Sequence, residues 1–209
     1  LLQRQEVLPP LTPGRQGESV GFHSRFQESA TNPLDILIDL GEDCSFDRIA
    51  LFPVSSVFQG EAIAGYGFPL HFTIEAASNS NFTDAVQICD WTASDESVRP
   101  EYPVQVSARN QSARYLRLRI LEHWQRSDGR YLSALGEMMV LSGGRNIAMG
   151  GTVEADSFIS LPDWSSPNLI DGQTDLGLPI KPEPSLGNGF MTRGSEVILE
   201  RIKESLCLG

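Results

Sequence analysis

The chain has 209 residues, a formal net charge of −11, 40% hydrophobic and 21% charged residues. That is enough for one sizeable domain with its own core. The acidic balance excludes nucleic acid and anionic membrane surfaces as partners, since either needs a basic face. With 19 Gly and 13 Pro, turns should be frequent, which points to an all-β fold.

The chain opens LLQRQEVLPP, without Met, a basic n-region or an apolar h-region, and reads as a piece of a longer polypeptide. Leu1–Val7 is a short helix candidate, and the Pro-rich stretch after it, through residue 19, is irregular. Apolar alternation then predicts strands at Leu34–Gly41, Arg48–Val54, Leu70–Ala76, Ala85–Thr92, Val104–Ala108, Ala113–Leu121 and Ala134–Leu141. In Ala113–Leu121, Leu116, Leu118 and Ile120 share one face and Tyr115, Arg117 and Arg119 the other, the period of a half-buried strand. Many short strands with turn signals between them predict a β-sandwich.

If successive strands run antiparallel, the polar turns at 41–46, 78–84 and 109–112 fall at one end of the sandwich. The longer segments 20–33, 54–69, 92–103 and 122–133 fall at the other. Those segments carry His23, Arg25, Phe58, Tyr66, Tyr102, His123, Trp124, Arg126 and Tyr131, and long loops with aromatic and polar side chains on a rigid scaffold are where ligands bind.

After Ser142-Gly143-Gly144 the pattern changes. LPPLTPGRQGESVGFHSR near the start resembles LPIKPEPSLGNGFMTR at 178–193, aligning Gly21-Phe22 with Gly189-Phe190. That offset suits one whole β domain rather than a solenoid repeat of about 20–50 residues. Gly194–Leu208 has the spacing of a short amphipathic helix that Ser195 would cap.

Leu37-Ile38-Asp39-Leu40-Gly41, Arg48-Ile49-Ala50-Leu51 and Phe68-Pro69-Leu70-His71-Phe72-Thr73-Ile74-Glu75-Ala76-Ala77-Ser78 resemble the body of a coagulation factor V/VIII type C (discoidin) domain. Ala113-Arg114-Tyr115-Leu116-Arg117-Leu118 and Ala134-Leu135-Gly136-Glu137-Met138-Met139-Val140 resemble two further strands of that family, in its order. Arg145-Asn146-Ile147-Ala148 through Asn168-Leu169-Ile170-Asp171-Gly172 resembles the head with which such a domain opens. The division that follows is a lead-in at 1–19, a discoidin-like sandwich at 20–142, the head of a second, incomplete unit at 143–190, and a helix at 191–209.

The resemblance implies a galactose-binding-like jelly-roll β-sandwich of two antiparallel sheets with ligand loops at one end. It also implies non-catalytic recognition of carbohydrate or cell-surface glycan, within a larger surface, secreted or periplasmic protein, as in cell adhesion. The alternative is a protein-interaction or sensory ectodomain module. Some members hold a structural calcium, and Asp171 and Glu137 match two of its elements here, although in different copies. No cofactor is required.

No catalytic motif is present: the three histidines, His23, His71 and His123, lie far apart, and no G-x-S-x-G, H-E-x-x-H, Walker A or dinucleotide fingerprint occurs. Cys44, Cys89 and Cys207 form no CxxC pattern, and a Cys44–Cys89 bridge stays open. No run approaches the roughly 18–20 apolar residues of a membrane span. Loop 54–69 offers Val57-Phe58 but also Glu61 and no Lys, against lipid binding. An exposed Trp124 would give a sugar a flat apolar face, with Arg126 and His123 bonding hydroxyls; its other reading is a cap on the sandwich core. Trp91 and Tyr102 read as packing, one of Phe58 and Tyr66 as a plug in the sandwich end, His71 as outward-facing, and Arg117 and Arg119 as surface ion-pair formers.

Overall fold

A computed structural model describes residues 11–12, 19–93, 100–174 and 178–179. The helices expected at Leu1–Val7 and Gly194–Leu208, and the repeat partner Gly189-Phe190, lie outside the described residues.

The strands in chain order are β1 (Leu11–Thr12), β2 (Phe22–His23), β3 (Leu34–Phe52), β4 (Ser56–Phe58), β5 (Glu61–Ile63), β6 (His71–Ala77), β7 (Val86–Thr92) and β8 (Val104–Glu122). There follow β9 (Trp124–Gln125), β10 (Tyr131–Leu132), β11 (Ala134–Leu135), β12 (Glu137–Ser142), β13 (Arg145–Asn146), β14 (Thr152–Ala155) and β15 (Leu178–Pro179). One 3-10 turn, Pro167–Leu169, is the helical element among the described residues, and no helix there is long and apolar enough to cross a membrane. The fold is all-β and antiparallel, as the strand periodicity predicts.

Its main sheet runs β13-β12-β3-β8-β6-β7, with β14 added beside β3. The strands expected separately at 34–41 and 48–54 are one strand, β3, and those at 104–108 and 113–121 are one strand, β8. Both bend where their shared register slips, between Asp39 and Cys44 and between Phe46 and Arg48. Arg109 and Asn110 take left-handed φ values of 52° and 57° at that bend. The predicted turns at 41–46 and 109–112 are therefore corrected: Cys44–Phe46 pairs with Gln111–Ala113, because a twisted strand changes layer through bulges without leaving the ladder.

The bend folds the sheet over on itself. The larger layer holds β14, Leu34–Asp39, Tyr115–Glu122, β6 and β7; the smaller holds β13, β12, Arg48–Phe52 and Val104–Ser107. Ile36, Ile38, Leu116, Leu118, Phe72 and Ile74 from the first meet Ile49, Leu51, Met138 and Val140 from the second in one buried core. The outer side of the smaller layer is apolar too, with Ala50, Phe52, Met139 and Leu141 in a buried cluster of their own.

The described part of the segment expected as the head of a second unit packs on this same sandwich. β14 pairs with Ile36–Asp39 of β3, and Ala148, Leu169 and Ile170 enter the main core. Asn146 ties the junction, its Oδ1 accepting the N–H groups of Val140 and Ala148 at 3.2 and 3.1 Å. At the far side, Val20 N–H donates to the Asp163 carbonyl at 2.7 Å and Gly21 bridges Trp164.

Candidate functional site

Because β3 and β8 fold over, the connections 20–33, 53–70 and 123–136 gather where both layers end. Ala134 N–H donates to Gly67, Ser24 N–H to Ser133, His123 N–H to Ala30 and Tyr66 N–H to Val54, all at 2.7–2.9 Å. Gly21 and Gly67 allow this approach: their φ values are 133° and 68°, and a Cβ on either would collide with the 132–136 segment. Of the four segments expected at one end, 20–33, 54–69 and 122–133 meet here, and 92–103 lies partly outside the described residues.

The site begins in the interior. Tyr66, Trp124, Leu132, Ala134, Val54 and Trp164 form a second buried cluster under the loops. Trp124 is 6% exposed and meets the Tyr66 ring edge-on at 5.3 Å. The exposed platform expected of Trp124 is therefore corrected: β9 pairs with β10 and turns the indole inward. His123 is buried as well, accepting from the Ser133 hydroxyl at Nδ1 and donating from Nε2 to the Asn32 carbonyl, each at 2.7 Å. Both its nitrogens are spent on holding loops together, and burial lowers its pKa.

His23 starts a chain of bonds that leads outward. Its Nδ1–H donates to the Ser24 carbonyl and its Nε2 accepts from the Tyr66 hydroxyl at 3.4 Å. The Tyr66 hydroxyl in turn accepts from Arg126 at 3.1 Å. Burial, and then the Arg126 charge, hold the His23 pKa below its usual value, so the imidazole is the neutral acceptor that this direction of bonding needs. Trp164 stands edge-on to His23 at 5.1 Å.

At the surface Arg126 is fixed on every side. Its Nε and Nη2 grip Asp128 at 3.0 and 2.7 Å, which pulls the Asp128 carboxyl down to about 2. Its guanidinium lies over Phe58 at 4.1 Å and over Phe26 at 4.8 Å. Arg130 lies on Phe26 at 4.7 Å. Phe58, Arg126, Phe26 and Arg130 so form a ladder of alternating rings and cations. Phe26 is 45% exposed and the Arg130 side chain 58% exposed, 3.6 Å from Asp128.

Of the predicted site residues, Phe58, Tyr66, His23 and Arg126 come together, with Tyr66 as the plug. Tyr131 stands beside them, paired with Gln125 and bridged to Gln27. Arg25 turns away, its Nε donating to the Phe158 carbonyl at 3.2 Å. Tyr102, expected to pack, is 60% exposed, whereas Trp91 stacks on Phe72 at 5.0 Å. Phe26, Asp128, Arg130 and Trp164 were not singled out from sequence. Arg126-Ser127-Asp128-Gly129-Arg130 held a signal, an Asp-Gly turn that brings two arginines to one carboxylate; Phe26, an apolar residue alone among polar neighbours, held a weaker one.

Asp171 and Glu137, expected in different copies, meet because the head docks. Gly172 N–H donates to Glu137 at 3.1 Å. Burial, and then the Asp171 charge, push the Glu137 pKa well above the carboxylate range, and burial raises Asp171 as well. Calcium takes about six to eight oxygens. Here all four carboxylate oxygens already accept hydrogen bonds, from Asn146, Gly172, Gln173 and Ser19, and no group of three or more His, Cys, Asp or Glu side chains is placed for a metal among the described residues. The acidic pair falls short of a calcium shell. Cys44 and Cys89 are free thiols, not bridged to each other, and burial raises the Cys89 thiol to about 11.

No family model matches the chain, and no curated relative does. Among solved structures it is similar to the C-terminal domain of a chitobiase from Bacteroides fragilis, at 21% identity over 63% of this chain and 72% of that one, with a TM-score of 0.40. It is similar to CBM32-3 from a family 31 glycoside hydrolase of Clostridium perfringens, at 17% identity over 56% of this chain and 70% of that one, with a TM-score of 0.42. A third is chitosan-binding module 1 from a chitosanase/glucanase of a Paenibacillus species, at 16% identity over 65% of this chain and 98% of that one, with a TM-score of 0.40.

Proposed function

We propose that the chain is a non-catalytic recognition module that binds carbohydrate through the loop end, as part of a larger surface or secreted protein. The observation that carries this reading is the ladder of Phe58, Arg126, Phe26 and Arg130. Phe26, 45% exposed, offers a sugar the apolar edge of a ring whose faces are held by Arg126 and Arg130. Arg130, with one long contact to Asp128, has donors to spend on hydroxyls. The buried relay from Arg126 through Tyr66 to His23 fixes the platform before a ligand arrives, which lowers the entropic cost of binding.

A glycan array with the unaltered chain, Phe26→Ala and Arg130→Ala tests it. The unaltered chain should retain a defined set of glycans, and both variants should lose them while unfolding at the same temperature. An array blank for the unaltered chain, or one that Phe26→Ala leaves untouched, overturns the reading. Val57, 69% exposed beside Phe58, favours the second reading, a protein partner on the same loops. Under that reading the array is blank, and a bound polypeptide is lost on Val57→Asp.

A further inference from the structure

The outer face of the larger layer carries a pocket of about 220 Å³, away from the loop end. Its place follows from register. Thr152, Asp39 and Tyr115 stand abreast across β14, β3 and β8, and Glu154, Leu37 and Arg117 form the next row on the same face. Ser80 and Phe82, from the turn between β6 and β7, close another side.

The arginines nearby are committed. Arg114 grips Asp39 at 2.7 and 2.8 Å and lies over Tyr115 at 5.0 Å. Arg117 grips Glu75 at 2.8 and 2.5 Å and lies over Phe82 at 4.5 Å. Their charge is cancelled pair by pair. Glu154, exposed on the edge strand, enters none of the ion pairs among the described residues. The pocket therefore has aromatic walls, hydroxyls from Ser80, Thr152 and Tyr115, and one carboxylate without a countercharge.

That combination matches an organic ammonium group. Ring faces attract a cation, a carboxylate gives it a charge-assisted hydrogen bond, and hydroxyl oxygens accept its remaining N–H groups. The volume lies below the roughly 300 Å³ at which drug-sized sites begin, so it suits a single ring. We propose that this pocket is a second ligand site, separate from the loop end, that takes one ammonium-bearing ring such as an unacetylated amino sugar.

Titration with glucosamine, N-acetylglucosamine and glucose tests this, because the three share a ring and differ in charge. The amide signals of Phe82, Thr152 and Glu154 should shift saturably with glucosamine alone, with a dissociation constant on the order of millimolar. Glu154→Gln should weaken binding about two- to fivefold, the worth of an exposed ion pair, whereas Phe26→Ala should leave it unchanged. Equal shifts with all three sugars, no saturable shift with glucosamine, or a dissociation constant that Glu154→Gln leaves unchanged overturn the proposal.

Discussion

The sheet face and the loop end use the same device, an arginine gripped by a carboxylate and laid on an aromatic ring. On the sheet face Arg114 and Arg117 pair with Asp39 and Glu75 and lie on Tyr115 and Phe82, while Arg119 pairs with Asp35, each held by a strand whose other face is in the core. At the loop end Arg126 pairs with Asp128 but also rests on Tyr66 and, through it, on buried His23. What lies beneath the pair decides its worth. Over a finished ladder it decorates the surface; over a polar interior it completes a network that has no other source of partners.

The comparison can be broken by substitution. The largest effect is expected from Trp124→Ala, which empties the cluster under the loops and should cost about 3–5 kcal/mol in urea unfolding. Loss of glycan binding without loss of stability in that variant would restore Trp124 to the surface. Tyr66→Phe removes the hydroxyl between Arg126 and His23 and should cost about 1–3 kcal/mol, the penalty of buried polar groups left without partners.

Acidity sharpens the contrast further. His23 and His123 have lowered pKa values in the fold, so their contribution is present above the unfolded value of about 6.5 and is lost as pH falls below it. Glu137 runs the other way: its raised pKa gives a contribution that is full below about pH 4.3 and is lost as pH rises through the folded value. Glu137→Gln should then raise stability at pH 8 and steepen the loss below pH 6.5, as read from denaturation midpoints across that range. A flat profile in that variant would show that the histidines are not held neutral. The smallest effect is expected from Arg119→Ala, under about 1 kcal/mol, since its side chain is 41% exposed and the strand stands without it.

The sandwich was legible in the sequence because alternation survives in Leu34–Leu40 and Tyr115–Ile120, where one face is wet. It was not legible that 34–41 and 48–54 are one strand, because a bulge is a slip in register and leaves polar residues that look like a turn. β12 falls within the strand predicted at Ala134–Leu141, although Met138 and Met139 are both buried and no period of two remains there. At the loop end the aromatic and polar residues pointed to one end of the sandwich but not to their depth. Trp124, Tyr66 and His123 went inward, and Phe26, which follows Arg25 and precedes Gln27, stayed out. A single sequence carries residue type, and depth is settled by which loops cross above.

β14 has a practical consequence. It covers the backbone of Ile36–Asp39, and Leu169 and Ile170 behind it fill the core. A chain cut after Ser142, the boundary that composition suggests, would keep most of the strands but leave β3 with a bare row of N–H and C=O groups beside Ile36 and Ile38. Such a row is a template for another chain's strand, so the shortened protein should self-associate, concentration by concentration, where the longer one stays dispersed.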